Sequence, residues 1–256
     1  MNITLSNVCK SFDKTAVIKN MSFTVNSGEI ICLLGPSGSG KTTTIRLLIG
    51  AIAADSGEIK FDDITVPNLE LLKRIGFMPQ NDAMYDDLSG EDNLKFFAEL
   101  YGMKHDEVIK RIDEVLKLVD LEQDRKKFVR NYSGGMKKRL SLAVALFHEP
   151  DILLLDEPTV GIDPVLRRTI WDQFKEIKKQ GRTLIVSTHV MEEVYECDRA
   201  ALIYNGKLIN CDKMGDLLAK TKSGKVEELF FMAAEEDVIA PVKCFKYRVL
   251  TDRRQA

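Results

Sequence analysis

The sequence has no hydrophobic run long enough to cross a membrane. Its longest apolar stretches are IICLL at 30–34 and ILLL at 152–155, whereas a spanning helix needs ~18 apolar residues or more. The first residues, MNITLSNVCKSF, also lack a basic region followed by an apolar run, so the sequence predicts no signal peptide. We therefore expect a cytoplasmic protein that does not itself span the membrane.

Regularly spaced cysteines and a strong charge of one sign are also missing. The five cysteines are an odd number without CxxC spacing, which argues against a disulfide scaffold or a zinc site and favours a reducing compartment. They are Cys9, Cys32, Cys197, Cys211 and Cys244. A formal net charge of −2 argues against a protein that coats nucleic acid electrostatically. We expect no nucleic-acid partner.

The sequence does contain a regular alternation of short strands and helices. EIICLL runs straight into GPSGSGKTTTIRLLIG, and the apolar runs DILLLDEP and RTLIVSTH are typical of strands buried on both faces. Asp163 is a candidate N-cap for a helix that begins at Pro164 and ends near Gly181. LIYNGKLI predicts a hairpin that turns at Asn-Gly. This alternation predicts an α/β fold with a mostly parallel sheet.

Residues 89–148 interrupt the alternation with helical patterns alone. The segment DEVIKRIDEVLKLV has apolar residues at helical spacing, which predicts one buried stripe. These residues are Val108, Ile109, Ile112, Val115, Leu116 and Val119. We expect a helical subdomain here, inserted into a core formed by about residues 1–88 and 149–222. Residues 223–256 form a tail to which no motif assigns a role.

A complete phosphate-binding loop follows the first buried strand. Every fixed position of the pattern GxxxxGK[ST] is filled. The loop comprises Gly35, Pro36, Ser37, Gly38, Ser39, Gly40, Lys41 and Thr42, and Thr43 follows it. The glycines let backbone N–H groups converge on phosphate oxygens, and the next helix directs its positive end towards them. Lys41 would reach the β- and γ-phosphates, and the Thr42 hydroxyl would coordinate Mg²⁺.

Four polar residues lie at the ends of other predicted strands. Asp156 and Glu157 end ILLLDE, where one acid can hold Mg²⁺ and the next can accept a proton from an attacking water. His189 follows TLIVST and could donate to a γ-phosphate oxygen, while Gln80 could orient a water or contact Mg²⁺. Each residue alone is typical of a solvated strand end. The phosphate loop favours the functional interpretation, because ligands gather at the carboxyl ends of parallel strands.

A second glycine-rich motif, NYSGGMKKR at 131–139, lies inside the helical segment. Serine and two glycines at a helix start can bind an anion through backbone N–H groups. The basic residues behind them, Lys137, Lys138 and Arg139, are open to a nucleic-acid interpretation, but three charges on one helix favour a solvated face. The sequence therefore has two candidate anion-binding loops.

These motifs, in this order, resemble the ATPase subunits of ABC transporters. The phosphate loop, Gln80, Ser-Gly-Gly, ILLLDEP, the loop VGIDP and the strand-end histidine carry the resemblance, which covers roughly residues 1–220. It implies a P-loop NTPase core with a mostly parallel sheet, an N-terminal antiparallel β portion and an inserted helical subdomain. It also implies that residues 131–139 contain the family's signature loop, which binds ATP held by a second ATPase subunit.

The resemblance further implies ligands, partners and roles for individual residues. Glu157 would be the catalytic base, His189 the γ-phosphate switch and Gln80 the link from Mg²⁺ to the helical subdomain. Phe12 would stack on adenine. The Mg²⁺ ligands would be Thr42, Gln80 and Asp156, and the residues that contact ATP in trans would be Ser133, Gly134, Gly135 and Asp163. The implied partners are an integral membrane permease and a second ATPase subunit, identical or related. The two ATPase subunits would sandwich two ATP at the cytoplasmic face of the membrane.

Two residues depart from the commonest signature, Leu-Ser-Gly-Gly-Gln. Tyr132 and Met136 replace the Leu and the Gln, and Met136 cannot donate a hydrogen bond as an amide does. Ser-Gly-Gly-Met followed by basic residues, with DNLKFFAELYGM, resembles most the ABC exporters of drugs, antibiotics, ions or polysaccharides. We therefore expect an ATPase subunit that powers export through a separate permease.

Three alternatives remain open at this point. A soluble ABC ATPase acting on ribosomes or DNA commonly has two cassettes or a long coiled coil, whereas this sequence has one cassette and no sustained heptads. A small-molecule P-loop kinase would need neither Ser-Gly-Gly nor the strand-end histidine. The tail is compatible with a regulatory subunit whose ATPase is secondary.

Overall fold

The fold consists of two β-sheets and the helices packed around them. The structure is a computed structural model, and it describes residues 1–81 and 83–235. The strands are β1 Ile3–Phe12, β2 Thr15–Val25, β3 Ile30–Leu34, β4 Ser56–Phe61, β5 Ile64–Thr65, β6 Ile75–Met78, β7 Ile152–Asp156, β8 Thr183–Thr188, β9 Arg199–Tyr204 and β10 Lys207–Lys213. The helices are α1 Lys41–Leu48, α2 Leu69–Leu72, α3 Gly90–Tyr101, α4 His105–Leu118, α5 Gly134–Phe147, α6 Pro164–Lys179 and α7 Met214–Ala219. Two short 3-10 helices cover Val129–Asn131 and Met191–Glu196.

The first sheet is antiparallel and has the strand order β2-β1-β4-β5. Ile3, Leu5 and Val8 of β1 are buried. They belong to one hydrophobic cluster with residues of α1 and of the second sheet. The predicted N-terminal antiparallel portion is therefore confirmed, and it covers one face of the central sheet.

The second sheet has the strand order β10-β9-β3-β8-β7-β6. All neighbours from β9 to β6 are parallel, and β10 runs antiparallel to β9. Every residue of β3, β7 and β8 is buried, as expected of parallel strands covered on both faces. The predicted α/β class with a mostly parallel sheet is confirmed. The carboxyl ends of β3, β6, β7 and β8 consequently meet at one edge.

The β9–β10 hairpin turns at Asn205 and Gly206, as its Asn-Gly pair predicts, with φ of 49° and 78°. Its tip touches both sheets and the phosphate loop. Gly206 N donates to Ser39 O at 3.1 Å, and Lys19 N of β2 donates to Gly206 O at 2.8 Å. A Cβ on Gly206 would lie 2.1 Å from Val17 O. This close approach therefore requires glycine.

Helices α3, α4 and α5 follow one another between β6 and β7. Ser89 caps α3 by accepting a hydrogen bond from Asp92 N at 3.1 Å, and Gly102, with φ of 67°, ends it. Arg111 of α4 donates through Nε to Phe147 O at 3.1 Å, which satisfies a carbonyl at the C-terminal end of α5. The three helices therefore form one packed unit.

The stripe predicted on α4 is buried except at Ile109, which is 54% exposed. Adjacent residues on a helix point about 100° apart. The buried side of α4, which includes Val108, packs against α3 and α5, so Ile109 points away from them. The prediction that Ile109 belongs to the core is wrong.

The chain after β10 packs back onto the core. Val226, Leu229 and Phe230 are buried in the same hydrophobic cluster as the helical unit, and residues 227–235 are helical. The rest of the predicted tail, including Cys244, lies outside the described residues. Within residues 1–81 and 83–235, no helix is both long and apolar enough to span a bilayer.

Candidate nucleotide-binding site

The phosphate loop joins β3 to α1, which begins at Lys41. Gly38 and Gly40 have φ of 77° and 109°, a region that glycine adopts without the strain a Cβ imposes. Gly35 has no room for a side chain, because a Cβ there would lie 2.2 Å from Ile203 O. The conformation of the loop therefore requires all three glycines.

Lys41 lies folded back into this loop. Its side chain is buried, and Nζ donates to Gly35 O at 2.7 Å and to Pro36 O at 3.0 Å. Burial lowers the pKa of Lys41, while the carboxylates of Glu157 and Asp156 oppose that shift. The loop therefore places a cation close to the two acids that end β7.

A cleft of about 190 Å³ opens beside the loop and α1. It is lined by Val17, Ser37, Gly38, Gly40, Lys41, Thr42, Thr43, Gln80 and Glu157. Within the described residues, this lining does not include Phe12, which lies at the end of β1 and is 43% exposed. The Nζ atom of Lys10 is 5.5 Å from the centroid of its ring. The structure thus brings the loop together with two of the predicted catalytic residues and leaves Phe12 as an exposed aromatic.

Ser187 of β8 orients both acids at the end of β7. Asp156 is buried and accepts a hydrogen bond from Ser187 Oγ. Glu157 N donates to the same Oγ at 3.0 Å, and Glu157 has a φ of 53°, in the left-handed region. Ser187 was not among the residues predicted from the sequence. The sequence marks Ser187 only as a hydroxyl residue that directly follows three apolar residues in TLIVST.

The three predicted catalytic residues meet at the Glu157 carboxylate. Gln80 Nε2 donates to Oε2 at 3.2 Å, and His189 Nδ1 lies 3.0 Å from Oε1. The three residues follow β6, β7 and β8, which are adjacent in the sheet. The strand order therefore produces a carboxylate that is held at both oxygens beside the phosphate loop.

The Ser-Gly-Gly motif forms the start of α5. Ser133 Oγ accepts a hydrogen bond from Met136 N at 3.2 Å, and Ser133 and Gly134 are exposed. Gly135 lies near the loop after β7, because a Cβ there would be 3.5 Å from Gly161 O. As far as the structure describes the chain, the cleft at the phosphate loop has no lining residue from this motif.

Tyr132, which precedes the motif, is buried and uses space left by Gly90. Its Oη donates to Asp124 O at 2.8 Å, and a Cβ on Gly90 would lie 2.3 Å from that oxygen. Burial raises the pKa of Tyr132 to about 12, so the hydroxyl keeps the proton it donates. Met136 is partly buried against the core. Both departures from the common signature therefore contribute to packing.

The basic run after the motif is not the solvated face that we predicted. Lys137 forms an ion pair with Asp86 at 2.6 Å, and Arg139 Nη1 donates to Val119 O at 3.0 Å and Asp120 O at 2.7 Å. Arg139 lies beside the C-terminal end of α4, where free carbonyls attract cations, and it joins α5 to α4. Lys137 joins α5 to the loop that precedes α3.

Asp163 caps α6, as predicted. Its Oδ1 accepts hydrogen bonds from Val165 N at 3.1 Å and Leu166 N at 3.0 Å, and Pro164 occupies the first helical position. Asp163 is exposed, so the cap presents its carboxylate at the surface.

Residues 18–160 match the ABC transporter family. The chain belongs to this family. It is 36% identical over 240 residues to the linearmycin resistance ATP-binding protein LnrL of Bacillus subtilis (strain 168), covering 93% of this chain and 77% of that protein. It is 35% identical to the Nod factor export ATP-binding protein I of Ralstonia nicotianae, over 86% of this chain and 70% of that protein.

Longer relatives and solved structures agree with this assignment. The chain is 38% identical to ABC transporter G family member 20 of Dictyostelium discoideum, over 92% of this chain but only 32% of that protein. A dimeric ATP-binding cassette with bound ADP and phosphate, in a post-hydrolysis state, superposes with a TM-score of 0.78 at 26% identity, over 82% of this chain and 98% of that chain. An ATP-binding subunit of an ABC transporter superposes with a TM-score of 0.83 at 24% identity, over 91% of this chain and 99% of that chain, which shows the fold.

The predicted family, fold class and enzymatic activity are confirmed. As a member of the ABC transporter family, the chain binds and hydrolyses ATP. Membership also excludes the small-molecule P-loop kinase considered from the sequence.

Proposed function

We propose that this ATPase powers the export of a substrate through a separate membrane permease on which it docks. The observation that carries the proposal is the Glu157 carboxylate, held between Gln80 and His189 beside the phosphate-loop cleft. Relatives named for linearmycin resistance and Nod factor export support outward transport. None of the relatives named above is named for a role on ribosomes or DNA, and we propose no nucleic-acid partner.

ATP would bind with its triphosphate in the cleft. Backbone N–H groups of the loop and the N-terminus of α1 would bind the phosphates. Lys41 would exchange its bonds to two loop carbonyls for bonds to phosphate oxygens. Phe12 is the proposed platform for adenine, because it is an exposed aromatic. The other proposed ATP contacts are Gly35, Pro36, Ser37, Gly38, Ser39, Gly40, Thr42 and Thr43.

A magnesium ion fits this site by the chemistry of its oxygen ligands. Thr42, Gln80 and Asp156 would hold it, directly or through water, together with phosphate oxygens. Mg²⁺ typically uses one or two carboxylates plus substrate phosphates rather than an all-protein cage. When bound, the ion would neutralise charge on the β- and γ-phosphates.

Glu157 is the proposed general base, and its neighbours fix its direction. It would accept the proton of the water that attacks the γ-phosphorus. Gln80 and His189 each contact one carboxylate oxygen, so neither oxygen rotates freely. Because Nδ1 of His189 faces Glu157, Nε2 is left to bind a γ-phosphate oxygen. His189 is therefore the proposed γ-phosphate switch.

A second ATPase subunit, identical or related, would complete each site. Ser133, Gly134 and Gly135 form a helix start outside the cleft at the phosphate loop, and Asp163 is exposed. We assign these four residues to contacts with ATP held by the partner subunit. The dimeric cassette with bound ADP and phosphate supports this arrangement.

The proposed division of the chain follows from these roles. The core of about 1–88 and 149–222 would hold ATP, and the helical subdomain of about 89–148 would carry the signature loop. Gln80 lies just before the subdomain, so it would couple the nucleotide site to its movement. The tail of 223–256 has no assigned role. We place the protein peripherally at the cytoplasmic face of the membrane.

Affinity purification of the tagged chain from detergent-solubilised membranes tests the proposal. An integral membrane protein should co-purify in a defined ratio, and the complex should hydrolyse ATP. A complex with Glu157→Gln should keep the membrane protein and lose turnover. Recovery of the chain with ribosomes or DNA, and without a membrane protein, would contradict the export function.

A further inference from the structure

Glu193 is a buried carboxylate whose two oxygens join two loops of the catalytic centre. It lies in the 3-10 helix Met191–Glu196, four residues after His189, and is 3% exposed. Oε1 accepts a hydrogen bond from Thr159 Oγ1, and Oε2 accepts one from Thr188 Oγ1 at 2.7 Å. Both threonines are fully buried. Solvent therefore does not compete for these bonds.

The two threonines belong to the segments that carry the proposed catalytic residues. Thr159 lies two residues after Glu157 and four before Asp163, and Thr188 directly precedes His189. Thr188 Oγ1 also accepts a hydrogen bond from Val190 N at 3.0 Å. One side chain thus links the loop after β7 to the loop after β8.

Arg167 of α6 compensates the buried charge. Its Nε lies 3.8 Å from Glu193 Oε1, and its Nη2 donates to Ile162 O at 3.3 Å. A buried carboxylate without a cation or hydrogen bonds would be strongly destabilising. Arg167 therefore places a cation beside the Glu193 carboxylate and extends the link to the start of α6.

We propose that Glu193 is a positioning residue for ATP hydrolysis, which keeps the loops of Glu157 and His189 in register. The sheet pairs Asp156 with Ser187, and the last backbone bond between the two segments runs from Glu157 N to Ser187 O at 3.2 Å. Beyond that bond, the contacts of Glu193 with Thr159 and Thr188 are buried, whereas the contact between Glu157 and His189 involves the catalytic side chains themselves. Misplacing a catalytic group by ~1 Å can cost about 100-fold in rate, so this link acts on turnover rather than on ATP binding.

A carboxylate is required at this position because it accepts two hydroxyl protons at once. The amide of Gln has a single accepting oxygen. In a Glu193→Gln variant, one threonine must therefore turn its proton away, although the side-chain volume hardly changes. That threonine can then only accept a hydrogen bond from the amide N–H, so the variant replaces one bond to a charged oxygen with a weaker neutral bond, with little effect on packing.

Threonine substitutions separate the link from packing. Thr159→Ser keeps the hydroxyl and loses a methyl group, whereas Thr159→Val keeps the shape and loses the hydroxyl. We expect Thr159→Val and Glu193→Gln each to lower kcat about 10- to 100-fold, with the KM for ATP and the binding of a fluorescent ATP analogue within about twofold. Thr159→Ser should stay close to wild type. Glu192→Gln, the same change at the exposed neighbouring residue, is the matched control.

The double variant Glu193→Gln/Thr159→Val completes the test. Its kcat should be no lower than that of the slower single variant, because both changes weaken the same link between the two loops. The proposal would be overturned if the loss of kcat in the double variant were the product of the two single losses. It would also be overturned if folded Thr159→Val had a normal kcat, or if Thr159→Ser were slow while Thr159→Val stayed active. Parallel loss of ATP binding and melting temperature would also overturn it. The inference depends on the role of Glu157, so Glu157→Gln is measured alongside: normal turnover there would reject the catalytic assignment itself.

Discussion

At the scale of single residues, Glu157 combines a left-handed backbone with a carboxylate fixed at both oxygens. For a residue with a Cβ, that backbone region costs roughly 1–2 kcal/mol. The bond from Glu157 N to Ser187 Oγ helps to hold it there. Strain of this kind persists where surrounding contacts over-determine the conformation, as at many active sites.

Glu157→Gln should lower ATP turnover by at least about 100-fold while MgATP still binds. The amide has the same shape but cannot accept the proton in the catalytic step, and it removes a negative charge facing the triphosphate. We therefore expect the variant to form dimers that persist in the presence of ATP. Gel filtration detects these dimers, and ATP turnover is measured in parallel. Glu149→Gln is the matched control, because Glu149 has the same φ of 53° and is exposed. Turnover at the wild-type rate would remove Glu157 from the role of base.

The catalytic residues could be predicted because each belongs to a local motif at a strand end. Ser187 and Glu193 could not, because their partners at the end of β7 and in the loop after it lie 30 and 34 residues away in sequence and become neighbours only through the strand order. Sequence alone shows a serine in an apolar strand and one acid among several. Their roles emerge only when β7 and β8 pair.

At the scale of elements, the contact between Gly90 and Tyr132 joins the start of α3 to the signature segment. Gly90→Ala should destabilise the protein by about 1–3 kcal/mol, because the added Cβ would meet the Tyr132 hydroxyl. Adding Tyr132→Leu should recover part of this loss by removing that oxygen. Urea unfolding measures both effects.

Gly215→Ala in α7 is the control for this prediction. Gly215 is also in the first turn of a helix, but a Cβ there would have nothing within 4 Å. Equal destabilisation by both alanines, or no recovery in the Gly90→Ala/Tyr132→Leu variant, would show that crowding at the hydroxyl is not the cause.

A half-buried histidine at the C-terminal end of α5 should make stability depend on pH. His148 stacks on Tyr101 of α3 with ring centroids 3.7 Å apart. Burial lowers the pKa of His148 to about 4 from its ordinary 6.5, with Arg111 and Arg182 contributing. Between these values the unfolded chain binds a proton that the folded chain does not. Stability is therefore lost as pH falls from 6.5 towards 4, by at most about 3 kcal/mol.

Chemical unfolding of wild type and His148→Phe at pH 7.0 and 5.0 tests this dependence. Phenylalanine keeps a ring against Tyr101 and does not titrate. The wild type should lose more stability than the variant on acidification, and identical losses would refute the role of His148.

Element types were predictable where the local pattern is complete, as in the Asn-Gly hairpin and the Asp163 cap. Predictions about helix faces were weaker. Ile109 is exposed, and Lys137 and Arg139 are paired rather than solvated, because the position of α5 beside α4 decides which faces are covered. That arrangement depends on tertiary packing, which hydrophobic spacing does not encode.

At the scale of the whole molecule, the composite site predicts that residues of two chains meet around ATP. Cysteines at Ser37 and Ser133 should be cross-linked by a short bifunctional thiol reagent with MgATP in the Glu157→Gln background. Ser37 is exposed, whereas Ser39 of the same loop is buried. The product should have twice the chain mass, and it should fade without nucleotide.

The burial of each native cysteine decides which of them must be replaced before cross-linking. Cys32 and Cys197 are buried and stay, while Cys9, Cys211 and Cys244 are replaced. Each single-cysteine variant is a control, because the expected product needs both positions. A product only within one chain would contradict the composite site. If no product forms, the same test is applied to the complex purified with its permease, because that complex contains the natural partner ATPase subunit.

The tip of the β9–β10 hairpin limits where this protein accepts inserted sequence. Loop tips usually tolerate insertions, but Gly206 bonds to Ser39 and to Lys19 and leaves no room beside Val17. A reporter peptide placed there would break the bonds of the tip to the phosphate loop and to β2. The turn after α3 is the better point for insertion, because a side chain at Gly102 would have open space around it and, within residues 1–81 and 83–235, Gly102 is not among those that line the nucleotide cleft.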